Sequence, residues 1–173
     1  MKKNVKLLAI FALVVLLLAG CGKKDEEKES SKDYSAFLDN LKDSKMETYQ
    51  TSYHEVGWND VEYVARLSSD GNLTVTLRNR DNTKMDVAKN VVLFGLISTG
   101  NSGFNSLYYV TEEGKVYKAD VDLVLANNEK LAVKELTDVK NVVNIFQSGD
   151  SNAHYPLFVD IDGNVLKSKL AME

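Results

Sequence analysis

Three glycines in matching settings constrain this chain more than any other feature. Gly71, Gly114 and Gly163 lie in LSSDGNL, VTEEGKV and VDIDGNV, each with an acid before the glycine, Asn or Lys after it, and an aliphatic residue next. Gly57, Gly100 and Gly149 stand 14 residues upstream of these three, so six of the chain's ten glycines fall into one frame. Self-similarity at a spacing of 43 and then 49 residues predicts a repeat unit of about four short strands. The second and third copies also match further upstream, Asp86-Val87-Ala88-Lys89-Asn90-Val91-Val92 against Asp138-Val139-Lys140-Asn141-Val142-Val143.

Between the glycines the pattern has a period of two. Val61, Tyr63, Ala65 and Leu67 alternate with polar or smaller residues, and Leu73, Val75 and Leu77 do so beyond Gly71. Asp-Gly between two alternating runs is a strong hairpin signal. Pro156, the only proline, is placed at the start of a strand, where a missing N–H is tolerated. The expectation is an all-β fold of three antiparallel β-meander repeats. Glu113-Gly114-Lys115-Val116-Tyr117 distantly resembles the hairpin of β-propeller blades of the chromosome-condensation-regulator type. That resemblance implies a propeller-like closure; a β-trefoil, with three four-strand units, is the alternative.

The N-terminus is of a different kind. Lys2, Lys3 and Lys6 precede an unbroken apolar run, Leu7 to Leu18. A cationic start, a short apolar stretch and small residues make a secretory leader, and the run falls short of the roughly 20 residues that span a bilayer. Leu18-Ala19-Gly20-Cys21 resembles the lipobox of bacterial lipoproteins. The resemblance implies cleavage before Cys21 and diacylglycerol on its sulfur, with palmitate-type acylation anchoring the chain to the extracytoplasmic side of a cell membrane. Stable anchoring generally takes more than one acyl chain.

Cys21 is the only cysteine, so lipidation leaves no thiol and no disulfide. The formal charge of −4 becomes −7 once the three leader lysines are removed. This acidic balance disfavours nucleic-acid binding, which calls for a basic patch. Gly22 to Lys32, GKKDEEKESSK, cannot bury apolar surface and reads as a flexible tether. Asp33 then caps a short helix with Tyr34, Phe37, Leu38 and Leu41 on one face, more suited to docking on the domain than on lipid. The expected organisation is a signal peptide over 1–20, the lipidated cysteine and tether over 21–32, the helix over 33–45, and the three-repeat domain over 46–173.

Chemistry-bearing motifs are sparse. Gly149-Asp150-Ser151 has the letters of a serine-hydrolase motif with His154 nearby, but it occupies the loop position that Gly100-Asn101-Ser102 fills in the second copy. Asp160-Ile161-Asp162-Gly163-Asn164 has the letters of a calcium loop but supplies too few oxygens for the six to eight that calcium takes. It reads as a turn. His54 and His154 lack neighbouring ligands. No catalytic residue, metal or cofactor is expected. If the repeats are equivalent, the loops after Gly57, Gly100 and Gly149 share a face carrying Trp58, Asn59 and Asp60, then Asn101, Phe104 and Asn105, then Asp150, Asn152, His154 and Tyr155. Aromatics mixed with amides suit contact with an envelope protein or glycan. The expectation is therefore a non-catalytic binding module, with a cell-envelope hydrolase or its accessory lipoprotein as the alternative.

Overall fold

The computed structural model describes residues 33–56, 59–78, 83–98, 105–121, 131–149 and 154–172, with side chains at all of them except 52–56, 59–61, 98 and 105. Residues 1–32, on which the expected leader, lipidated Cys21 and tether fall, lie outside the described residues. The chain from Lys32 onward forms one unit, to which the following applies.

Helix α1 spans Tyr34–Ser44. Asp33 caps it, its carboxylate accepting the Ala36 N–H at 3.2 Å and so satisfying one of the donors a helix start leaves open. Lys45 ends it in the left-handed conformation, φ 46°. The apolar stripe faces the domain: Leu38 is buried and Tyr34, Phe37 and Leu41 are half-buried.

Three antiparallel meanders follow in chain order. The first comprises β1 (Thr48–Val56), β2 (Asn59–Leu67), β3 (Leu73–Arg78) and β4 (Thr83–Ala88). The second comprises β5 (Val91–Ser98), β6 (Asn105–Thr111), β7 (Val116–Asp120) and β8 (Val133–Glu135). Among the described residues the third has three strands rather than four: β9 (Val142–Gly149), β10 (His154–Asp160) and β11 (Val165–Leu166). The fold is all-β, and among the described residues the sheets form no closed barrel.

Gly71, Gly114 and Gly163 each occupy the turn between the second and third strands of their sheet. φ is +77° at Gly71, +76° at Gly114 and +90° at Gly163, a region that L side chains resist. The same pair of backbone bonds closes every turn. Gly71 N–H donates to Ser68 O at 3.0 Å and Ser68 N–H to Asn72 O at 3.0 Å. The counterparts are Gly114 to Thr111 and Thr111 to Lys115, then Gly163 to Asp160 and Asp160 to Asn164. A second local signature recurs: Asn90 and Asn141, at φ 57° and 54°, immediately precede β5 and β9. Their carbonyls accept from Glu112 N–H at 2.8 Å and Ile161 N–H at 2.9 Å, tying the start of each sheet to its own turn. Asparagine is among the few side-chain-bearing residues that tolerate this conformation.

The sheets stack face to face with the second in the middle. Tyr63, Ala65, Leu67, Leu73, Val75 and Leu77 of the first sheet pack on Leu107, Tyr109 and Ala119 of the second. Tyr108, Val110 and Val116 point the other way, towards Val142, Ile145 and Phe158 of the third. The middle sheet thus buries both faces, which is why β6 reads as a continuous apolar run rather than an alternating one. Tyr108 meets Phe158 edge-on at 5.8 Å. Gly95 lets β5 approach β9 closely: a Cβ there would lie 2.8 Å from Ile145 Cγ2. On the other side of β5, Gln50 of β1 acts as a latch. Its Oε1 accepts the Leu96 N–H at 2.7 Å and its Nε2 donates to Phe94 O at 3.3 Å.

Pro156 is the third residue of β10, not the first. Its strand is nominally central, but β11 pairs only with Phe158 and Val159, so no third strand lies beside the proline. The C-terminal segment is held by Asp138, whose carboxylate accepts from Ser168 Oγ and Lys169 N, both at 2.7 Å, and from Leu170 N at 3.3 Å. Burial pushes the Asp138 carboxyl up, but these bonds together hold it below its ordinary value.

Candidate functional site

Antiparallel meanders have two ends. The framed turns, the starts of β5 and β9, and α1 gather at one. The opposite end carries the departures of β1, β5 and β9 and the starts of β2, β6 and β10. Asn59 and Asp60 open β2, Asn105 opens β6, and His154 and Tyr155 open β10, so these predicted residues take equivalent positions in their sheets. Trp58, Asn101, Phe104, Asp150 and Asn152 lie outside the described residues, as does Ser151. His154 Nδ1 is 2.9 Å from Gln147 Nε2, and the Tyr155 ring carries the Lys167 ammonium 4.8 Å from its centroid. The acids singled out in the turns have local partners. Asp160 accepts from Asp162 N at 3.0 Å, Asn164 N at 2.8 Å and Asn164 Nδ2 at 2.9 Å. The Asn164 side chain, first among these donors, holds the Asp160 carboxyl below its usual range. Asp70 is lowered in the same way, chiefly by the Ser68 hydroxyl. Among the described residues no group of three or more His, Cys, Asp or Glu is placed to hold a metal.

The turn end holds two grooves that sequence patterns did not indicate, on either side of the Ser68–Asn72 turn. One, of about 470 Å³, lies between the last turn of α1 with Met46 and the starts of β1 and β5. Its walls include Leu41, Met46, Leu67, Val92, Leu93 and Phe94, with Met46 70% exposed. Lys42, salt-bridged to Glu112 at 2.8 Å, stands on its rim. The other, of about 760 Å³, crosses the polar outer face of the first sheet and is lined by Glu47, Arg66, Asn72, Thr74, Lys84 and Asp86 among others. Beside it Tyr49, 56% exposed, lies 5.8 Å from the Arg66 guanidinium and donates to Glu47 at 2.9 Å. The Tyr49 hydroxyl and then Arg66 hold the Glu47 carboxyl below its usual range. The alternation of β2 could have placed Glu62, Val64 and Arg66 on one face. Nothing local could have shown that Tyr49 of β1 and Glu47 just before it join that face.

Among the described residues no helix is long and apolar enough to cross a membrane. No known protein family, curated protein or solved structure matches the chain.

Proposed function

We propose that this chain is a membrane-anchored extracytoplasmic lipoprotein whose β domain is a non-catalytic binding module. The observation that carries the reading is the sole cysteine, Cys21, set directly behind a short apolar run and small residues and followed by a charged tether. The domain that begins after this tether is one that local features stabilise throughout: capped helix, repeated turns, doubly buried middle sheet. Titratable groups that might have suggested chemistry have structural partners instead, Asp70 and Asp160 in turns and His154 beside Gln147. The binding end is the one where β2, β6 and β10 start, carrying Tyr155, and Trp58 immediately precedes β2 in the sequence. Its partner is an envelope protein or glycan.

Metabolic labelling with an alkyne-bearing palmitate analogue tests the anchor. The full chain should take label and sediment with membranes, and Cys21→Ala should do neither. A wild-type chain that takes no label and remains in the soluble fraction overturns the reading. For the module, in-cell crosslinking of the wild type should capture an envelope component, with capture lost in Trp58→Ala/Tyr155→Ala while folding is retained. Unchanged capture in that folded variant removes the assigned face.

A further inference from the structure

The two junctions between sheets are built differently, although the sheets are repeats. At the first, Val91 N–H of β5 donates to the carbonyl of Gly71 in the preceding sheet's turn at 3.0 Å. The equivalent pair at the second junction is Val142 and Gly114, and no such bond joins them. Helix α1 occupies that place. Tyr34 Oη donates to the Val142 carbonyl at 2.9 Å, and a Cβ on Gly114 would lie 2.8 Å from Tyr34 Cε1 and 3.4 Å from Leu38 Cδ1. Lys42 pins the far end of the helix to Glu112, two residues before Gly114.

From this we infer that α1 is a detachable wedge between the second and third sheets, and that its departure lets Val142 N–H close onto Gly114 O as Val91 does onto Gly71. Two features make the helix separable. It has 11 residues, too short to persist alone in water, and Leu38 is its one buried side chain. The sheets, by contrast, hold one another through the middle sheet's two faces without it. The wedge also governs the 470 Å³ groove, because Leu41, Lys42, Ser44, Lys45 and Met46 form one of its walls. The groove therefore belongs to the docked state, and departure of the helix dismantles it. Any pull on the chain N-terminal to Asp33 acts on this helix before it reaches a strand.

Amide hydrogen exchange of the full chain in detergent micelles reads both halves of this device. In the wild type, the amides of Leu38 to Lys42 should exchange through a partial opening at least 100-fold more frequent than the opening that exposes Tyr108 and Val110. In Tyr34→Ala/Leu38→Ala, the helix amides should lose protection, Tyr108 and Val110 should keep theirs, and the Val142 amide should slow at least tenfold. Helix amides that exchange only with global unfolding overturn the wedge. So does a double variant whose sheets lose protection, or one in which Val142 exchanges as fast as before or faster.

Discussion

Replacing Gln50 with alanine removes a side chain that bonds β1 to the β5 backbone through both ends of its amide. The 2.7 Å bond from Leu96 N–H to Oε1 is short, and the 3.3 Å bond from Nε2 to Phe94 O is long. A typical internal hydrogen bond contributes about 0.5–1.5 kcal/mol net, and a buried partner left unpaired costs about 1–3 kcal/mol. The site is half-buried, so water partly replaces the lost groups and the lower part of each range applies. The expected loss is about 2 kcal/mol, mostly from the Leu96 N–H. Urea denaturation followed by far-ultraviolet circular dichroism measures it, as a lower midpoint with an unchanged m-value. Gln50→Glu sharpens the test. Its carboxylate keeps the acceptor for Leu96 but confronts the Phe94 carbonyl with a second acceptor. Protonation restores a donor, so this variant should regain stability relative to wild type as pH falls through the carboxyl range. A Gln50→Ala protein within about 0.5 kcal/mol of wild type would refute the latch. The first two sheets would then be joined by apolar packing and by the Val91–Gly71 backbone bond.

Gly95→Ala should destabilise by about 1–3 kcal/mol, because its Cβ meets Ile145 Cγ2 at 2.8 Å and Ile145 O at 3.2 Å; Ile145→Ala in the same chain should relieve only the side-chain part, measurable as a double-mutant cycle. Gly163→Ala and Gly114→Ala form a controlled pair. Both demand a positive φ, worth about 1 kcal/mol, but Gly163 has nothing within 4 Å while Gly114 abuts Tyr34, so the second should lose more stability in thermal melts. Burial pushes the phenols of Tyr34, Tyr108 and Tyr109 up to about 12. Their folded values lie above the unfolded one of about 10, so their contribution is complete below that pH and is lost as pH rises towards 12. Absorbance at tyrosinate wavelengths, followed alongside circular dichroism, should show these phenols ionising together with unfolding; ionisation near pH 10 in a still-folded chain would contradict their burial.

Much of the local structure was written in the sequence because its causes are local. A positive φ at Gly71, Gly114 and Gly163 and at Asn90 and Asn141 is demanded by a few bonds within each turn, and only certain residues meet it. Alternation in β2 and β3 likewise told which side chains enter the core, since successive residues of a strand face opposite ways. Asp33 and the Tyr34–Leu41 stripe set the helix for the same kind of reason. The shared placement of Asn59, Asn105 and His154 at the head of equivalent strands followed from the repeat. Other features depended on groups far apart in the chain, and no window of sequence contains them. Identical meander patterns do not say that the middle sheet is covered twice, nor that the third has three strands among the described residues. Gln50 looks like any polar strand residue until β5 presents Leu96 and Phe94 to it, 46 and 44 positions away. The 470 Å³ groove beside Ser68–Asn72 exists because α1, β1 and β5 meet there. The sequence alone determined the turns, the strands and the helix cap, through short-range sterics and hydrogen bonding. Only the tertiary structure decided which repeat is buried, where the helix wedges and which surfaces stay open, because close packing is settled between elements rather than within them.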